Sequence, residues 1–135
     1  MNRRKSREIA MRLLFEISIN KEEYRAVLEH FLEENEEETK DLDIKYIEKV
    51  LEGVQQYKEE LDSKIEANLV NWKFNRISKI NLAILRISIY EMIYEEDIPK
   101  TVSLNEAVEL SKKYAEEKSY AFVNGVLDKV MKQTD

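Results

Sequence analysis

Cysteine is absent from the 135 residues, and His30 is the single histidine. The first absence excludes disulfides and thiolate metal sites. The second leaves no ligand set for a zinc centre, because one imidazole with scattered carboxylates is not a site. His30 falls in an acidic stretch of helical pattern and reads as a solvated residue. Turn formers are equally scarce, with two glycines and one proline. A sheet protein of this length needs more of them, so the expected class is all-α. Two isolated glycines cannot build a phosphate-cradling loop. A lone histidine in an acidic helix gives no base for a Ser-His-Asp arrangement. Carboxylate pairs abound, but none is set apart from a solvated helix face. The expectation is a binding protein without catalytic activity, bound cofactor or metal.

Long apolar runs are also missing. The most apolar stretch, 77–94, is interrupted by Lys79, Asn81, Arg86, Ser88 and Glu91, too polar to span a bilayer. The N-terminus is basic, but no unbroken apolar stretch of secretory type follows it. The cytoplasm is therefore expected, with no membrane partner.

Acids outnumber bases by 28 to 22, for a net charge of −6, which by itself argues against a nucleic-acid binder. The distribution is uneven, however. Residues 1–12 hold Arg3, Arg4, Lys5, Arg7 and Arg12 against Glu8 alone, whereas residues 21–43 hold ten acids against three bases. One reading of the basic end is a solubilising tail. The other is a phosphate grip, which suits arginine because its planar fork bonds phosphate through two N–H groups.

Helical periodicity runs through the chain. Ala10, Leu13, Leu14 and Ile17 form a stripe at i, i+3, i+4, i+7. Asn20 stops this segment and, with Glu23, is expected to cap the next, which carries Tyr24, Val27, Leu28, Phe31 and Leu32. The run Glu33–Glu38 reads as a solvated helix end plus loop. Asp43 caps a third helix through Val54, and Leu61, Ile65 and Leu69 continue a fourth to about Trp72. The fifth, 77–94, is apolar nearly all round and is expected to be central. Its Arg86 and Glu91 are expected to make hydrogen bonds or an ion pair that hold the fold together. Pro99 breaks the chain, and Ser103 with Glu106 forms a capping box for the sixth helix. Ser119 caps the seventh, with Val123, Val126, Leu127 and Val130 inward. Seven short helices with short connections predict a single domain over 1–135. It divides into two sub-bundles, about 1–72 and 76–132.

Some residues do not fit a plain bundle. With Ala10 as zero, Phe15 falls at about 140° on the wheel and Met11 at about 100°. These two either pack on a second helix or form an apolar patch for a protein partner. In the seventh helix Phe122 projects about 110° from the core stripe, and Lys129 shares that side. Gly125 lies on the same face, where a mid-helix glycine costs about 1 kcal/mol against alanine. Such a face either packs closely on another helix or lets a nucleic acid approach and stack.

The residues just described resemble the NusB family of bacterial antitermination factors. The opening Arg3-Arg4-Lys5-Ser6-Arg7-Glu8-Ile9-Ala10 with Leu13-Leu14-Phe15, the central stretch Ile80–Glu91, Pro99 with Val102–Lys112, and Phe122-Val123-Asn124-Gly125-Val126-Leu127-Asp128 are each similar to that family's motifs, in order. They cover about half the chain; residues 20–70 match in helical pattern only. The resemblance implies two three-helix bundles packed across each other, with an extra helix. It implies binding of the boxA element of nascent ribosomal RNA together with the ribosomal protein NusE, followed by joining an RNA polymerase antitermination complex. Some relatives are homodimers that mask the RNA surface. By the same resemblance the RNA surface falls on Arg3, Arg4, Lys5, Arg7 and Phe122. Lys118, where relatives often carry an acid, is either a further phosphate contact or a loop residue. The NusE surface falls on Phe15 and Asn81, and Tyr120 is a weaker RNA candidate. The fold also serves RNA cytosine methyltransferases, a context not expected here because no methyl-donor domain follows. A second hypothesis keeps the chain as a helical protein–protein adaptor without specific RNA binding.

Overall fold

The computed structural model describes residues 1–134, and among these the regular structure is helical throughout. Eight α-helices replace the expected seven: α1 (Arg3–Asn20), α2 (Tyr24–Glu34), α3 (Glu36–Thr39), α4 (Ile44–Gln56), α5 (Lys58–Ala67), α6 (Lys79–Tyr94), α7 (Lys100–Tyr114) and α8 (Ser119–Gln133). The additional one is α3, a single turn in the glutamate run with no buried residue. A 3₁₀ turn, Phe74–Arg76, leads into α6. None of these helices is long and apolar enough to cross a membrane.

Local chemistry accounts for most of the ends. The Asn2 side chain accepts from the Lys5 amide, Asp43 from the Tyr46 amide and Ser78 from the Asn81 amide, each offsetting one orphan donor at a helix start. Three expected caps are corrected. Asn20 is the last residue of α1, and the chain turns at Lys21 with φ 55°. Glu23 then precedes α2 without a side-chain cap. Ser103 and Glu106 lie inside α7, which already starts after Pro99, whose fixed φ suits a helix entry. Their side chains are turned instead to Glu91 and to the arginines of α1. Lys118, in the left-handed region at φ 73°, precedes α8 where Ser119 was the expected cap. The helix expected to run on to about Trp72 is α5, and it ends at Ala67.

The apolar α6 is central. It packs on α1, α4, α5, α7 and α8, and ten of its sixteen residues are buried. One continuous apolar cluster surrounds it, from Ile9 in α1 to Val130 in α8. Leu61 and Ile65 bring α5 into this cluster fully buried, each contributing about 1.5–3 kcal/mol. Gly53 leaves room for a side chain of α6 against α4: a Cβ there would lie 2.1 Å from the Tyr90 ring. Arg86 bonds Asp62 through two N–H groups at 2.8 Å, tying α6 to α5. Asn68 and Gln133 exchange amide hydrogen bonds at 3.1 and 2.9 Å, fixing the end of α8.

Candidate nucleic-acid interface

The N-terminal bases do not form a free cluster. Arg3 donates to Asp43 at 3.0 Å and lies over the Tyr46 ring, 4.5 Å from its centroid. Arg4 bonds Glu106 through Nε and Nη2 at 3.0 and 2.9 Å, with its side chain still 78% exposed. Lys5 stands 3.5 Å from Glu38. All three remain at the surface. The Lys5–Glu38 pair is worth about 0–1 kcal/mol, so a phosphate can displace that carboxylate at small cost. Asp43 and Glu106 are only 15% and 14% exposed, and the two-point Arg4–Glu106 pair is stronger than an ordinary surface pair.

Arg7 behaves differently, and its expected place on an RNA surface is corrected. Its side chain is 5% exposed. Nε and Nη2 donate to Glu91 at 2.8 and 3.1 Å, and Nη1 reaches Glu106 at 3.5 Å. Glu91, wholly buried in α6, also accepts from Ser103 Oγ at 2.7 Å and from the Tyr46 hydroxyl. Burial, and then the Glu91 carboxylate, push the Tyr46 phenol well above its ordinary range, so it stays a donor. Four helices, α1, α4, α6 and α7, meet in this network. The structural role expected of Glu91 is what the geometry shows, with Arg7 as its cation. The wheel carried a signal for this: Arg7 falls at about 60°, beside Leu14 at about 40° on the apolar stripe.

The second group of candidates converges where the 3₁₀ turn and the start of α6 meet the start of α8. Phe122, half-buried, faces Trp72 with ring centroids 5.7 Å apart and planes tilted by 44°. Trp72 is 50% exposed. With Arg76, Ser78, Glu116, Glu117, Lys118 and Ser119 they line a cleft of about 360 Å³. Neither Arg76 nor Lys118 has an ion-pair partner among the described residues. An exposed indole beside a phenyl ring can stack a base, and Arg76 and Lys118 offer N–H donors to its phosphate, with Glu116 and Glu117 opposing them in charge. Trp72 and Arg76 carry no periodic signal, since both lie between helices. Gly125 is exposed, and a Cβ there would meet nothing within 4 Å, so its face is open rather than packed on another helix. Lys129 is exposed further along α8 and does not line the cleft.

Helix α7 joins the two areas. Arg4 holds Glu106 at its middle, and Lys113 donates to Glu8 at 2.7 Å near its end. Lys112 lies 5.0 Å from the ring centroid of Tyr120, which is 39% exposed. The Glu8 carboxyl is opposed by burial, but hydrogen bonds from Lys113 and Tyr114 outweigh this and hold it below its ordinary value.

The expected partner residues separate. Phe15 is half-buried on α1, whereas Met11 beside it is fully buried. Asn81 is 5% exposed and accepts from Ser111 Oγ at 3.0 Å. A place for it on an exposed protein-binding patch is corrected, because the first turn of α6 directs it against the end of α7. It lines the inner wall of the Trp72–Phe122 cleft instead. His30 is exposed, and no cluster of three or more potential metal ligands occurs among the described residues.

Fold and surface together define an all-helical domain with an aromatic cleft of mixed charge and a basic helix end joined by one helix. The chain belongs to the NusB family, whose model matches residues 4–132. It is 56% identical over 132 residues to the transcription antitermination protein NusB of Clostridium novyi (strain NT), covering 98% of this chain and 99% of that protein. It is 54% identical over 135 residues to the protein of that name from Clostridium acetobutylicum, covering 100% and 98%. Among solved structures, NusB of T. maritima superposes with a TM-score of 0.88 at 30% identity, over 99% of this chain and 93% of that one. A crystal structure of the antitermination factors NusB and NusE in complex with dsRNA superposes at 0.84 and 28% identity, over 96% of each chain.

Proposed function

We propose that this chain is a transcription antitermination factor. It binds the boxA element of nascent ribosomal RNA together with NusE and helps RNA polymerase read through terminators. It works by binding, without catalysis, in the cytoplasm and as a single domain. The observation that carries this reading is the Trp72–Phe122 pair in one cleft, where Arg76 and Lys118 stand among the lining residues together with Glu116 and Glu117. The NusB–NusE–RNA complex of a relative supports it.

In this reading Trp72 and Phe122 stack bases. Arg76 and Lys118 hold the adjoining phosphates, and Arg3, Arg4 and Lys5 exchange their carboxylate partners for phosphate. Lys129 extends the cationic side of α8, and Phe15 remains the candidate for the NusE contact. Each phosphate contact to single-stranded RNA contributes about −0.7 to the slope of log K against log salt. The three N-terminal bases thus supply about −2, and Arg76 with Lys118 about −1.4.

One observation favours the protein-only adaptor: Arg3, Arg4 and Lys5 all have carboxylate partners in the free chain. Fluorescence anisotropy with boxA RNA and a scrambled control, with and without NusE, separates the two. Preference for boxA that strengthens with NusE is expected. Trp72→Ala and Phe122→Ala should each weaken binding by about 1–3 kcal/mol. Equal, feeble binding to both RNAs, unmoved by NusE and by either substitution, would establish the adaptor instead.

A further inference from the structure

A second cleft, of about 460 Å³, lies between α1, α4, α5 and the start of α6. Its volume is within the range of sites that bury a ligand, roughly 300–1,000 Å³. The floor is aliphatic: Leu14 and Ile17 from α1, Val54 from α4 and Leu82 from α6. Three exposed lysines stand around it, Lys21 at the left-handed turn after α1, Lys58 at the start of α5 and Lys79 at the start of α6. None of the three has an ion-pair partner among the described residues. That is notable in a chain with a net charge of −6, where most of the α1 cations are paired. Because Lys58 and Lys79 begin their helices, the positive ends of two helix dipoles add to the field there. Glu22 is the one carboxylate in the lining, and Arg86 is already committed to Asp62.

The chemistry of the floor distinguishes possible occupants. Single-stranded RNA is held by aromatic platforms, and no aromatic side chain lines this cleft. An aliphatic floor with a cationic rim complements a peptide that presents leucine-type side chains flanked by Asp or Glu. We propose that this cleft is a docking site for an acidic, aliphatic peptide segment of a protein partner, separate from the RNA surface. The assignment does not depend on the RNA reading, since it uses none of the same side chains.

The test uses the full chain and a fluorescein-labelled peptide with leucines at i, i+3, i+4 and i+7 and glutamates between them. A matched peptide carries glutamine for glutamate. Methyl NMR should show shifts centred on Leu14, Ile17, Val54 and Leu82 for the acidic peptide, and little change for the neutral one. The triple variant Lys21→Glu, Lys58→Glu, Lys79→Glu changes exposed side chains only and should weaken the acidic peptide at least about fivefold. Lys45→Glu, an exposed lysine that does not line the cleft, should leave binding unchanged. Equal binding of both peptides, shifts elsewhere, or a triple variant that binds as before would overturn the proposal. So would displacement of the peptide by oligouridylate, which would make the cleft an RNA site. A concentration-dependent dimer in sedimentation, abolished by the triple variant, would replace the partner with a second copy of the chain.

Discussion

Replacing Arg7 by methionine separates its two possible roles. Methionine keeps the length of the side chain but removes the cation from a site where it is 5% exposed. Glu91, wholly buried, then loses both arginine donors and keeps only Tyr46 and Ser103. Breaking a buried ion pair from one side costs about 3–5 kcal/mol, a large part of the 5–15 kcal/mol typical of a whole domain. The expected result in urea unfolding is a loss of this size with an unchanged m-value, and a fall in melting temperature on the order of 10 °C. Adding Glu91→Leu should recover part of the loss, because an apolar replacement of both partners is far cheaper than an orphaned charge. Recovery is incomplete, since the Tyr46 and Ser103 hydroxyls then lose an acceptor. RNA affinity per folded molecule, measured at low temperature, should change by less than about twofold, whereas Arg4→Ala should weaken it while sparing stability. A stability loss below about 1 kcal/mol, with RNA affinity falling as far as in Arg4→Ala, would refute the structural assignment of Arg7.

The two glycines should respond in opposite directions to alanine. Gly53→Ala puts a methyl into the Tyr90 ring and should destabilise by about 1–3 kcal/mol through overpacking. Gly125→Ala meets open space and should stabilise by about 0.5–1 kcal/mol; thermal melts of both variants decide this, and a weakening of RNA binding by the second would place RNA on that face of α8. Stability should also fall in acid. Hydrogen bonds hold Glu8 and Asp43 below their ordinary values of 4.5 and 3.8 against the opposing effect of burial. Their contribution is present above those values and is lost as pH falls through the lower folded-state ones. Urea midpoints measured from pH 6 down to about pH 2 should show this decline, with Glu8→Gln flattening it; an unchanged slope in Glu8→Gln would remove the Lys113–Glu8–Tyr114 contact from the account.

Much was decided by order along the chain. Scarcity of glycine and proline, with apolar residues at helical spacing, set the all-α class and located the five longer helices to within a few residues. Asp43 capped its helix because an N-cap is a local device, made with an amide three residues away. Phe122 could be singled out because a helical wheel shows which side chains leave the stripe. The near absence of polar sectors in 77–94 marked α6 as central, since a helix apolar all round can only be stable if it is packed all round.

Tertiary structure decided what became of each polar group, because partners distant in sequence compete for it. Ser103 and Glu106 have the spacing of a capping box, but the helix starts earlier at Pro99, and the pair instead serves Glu91, Arg4 and Arg7. Asn81 turned inward because Ser111, 30 residues away, offers it a hydrogen bond. Trp72 became half of an aromatic cleft only when α8 was laid across the end of α5. The basic run at the N-terminus is one feature in the sequence and two in the fold: Arg3, Arg4 and Lys5 stay at the surface, each beside a carboxylate, while Arg7 is buried against Glu91. Which arginine faces water and which faces a buried glutamate is settled by how α1 lies on α4, α6 and α7, and charge counted along a chain carries no such direction.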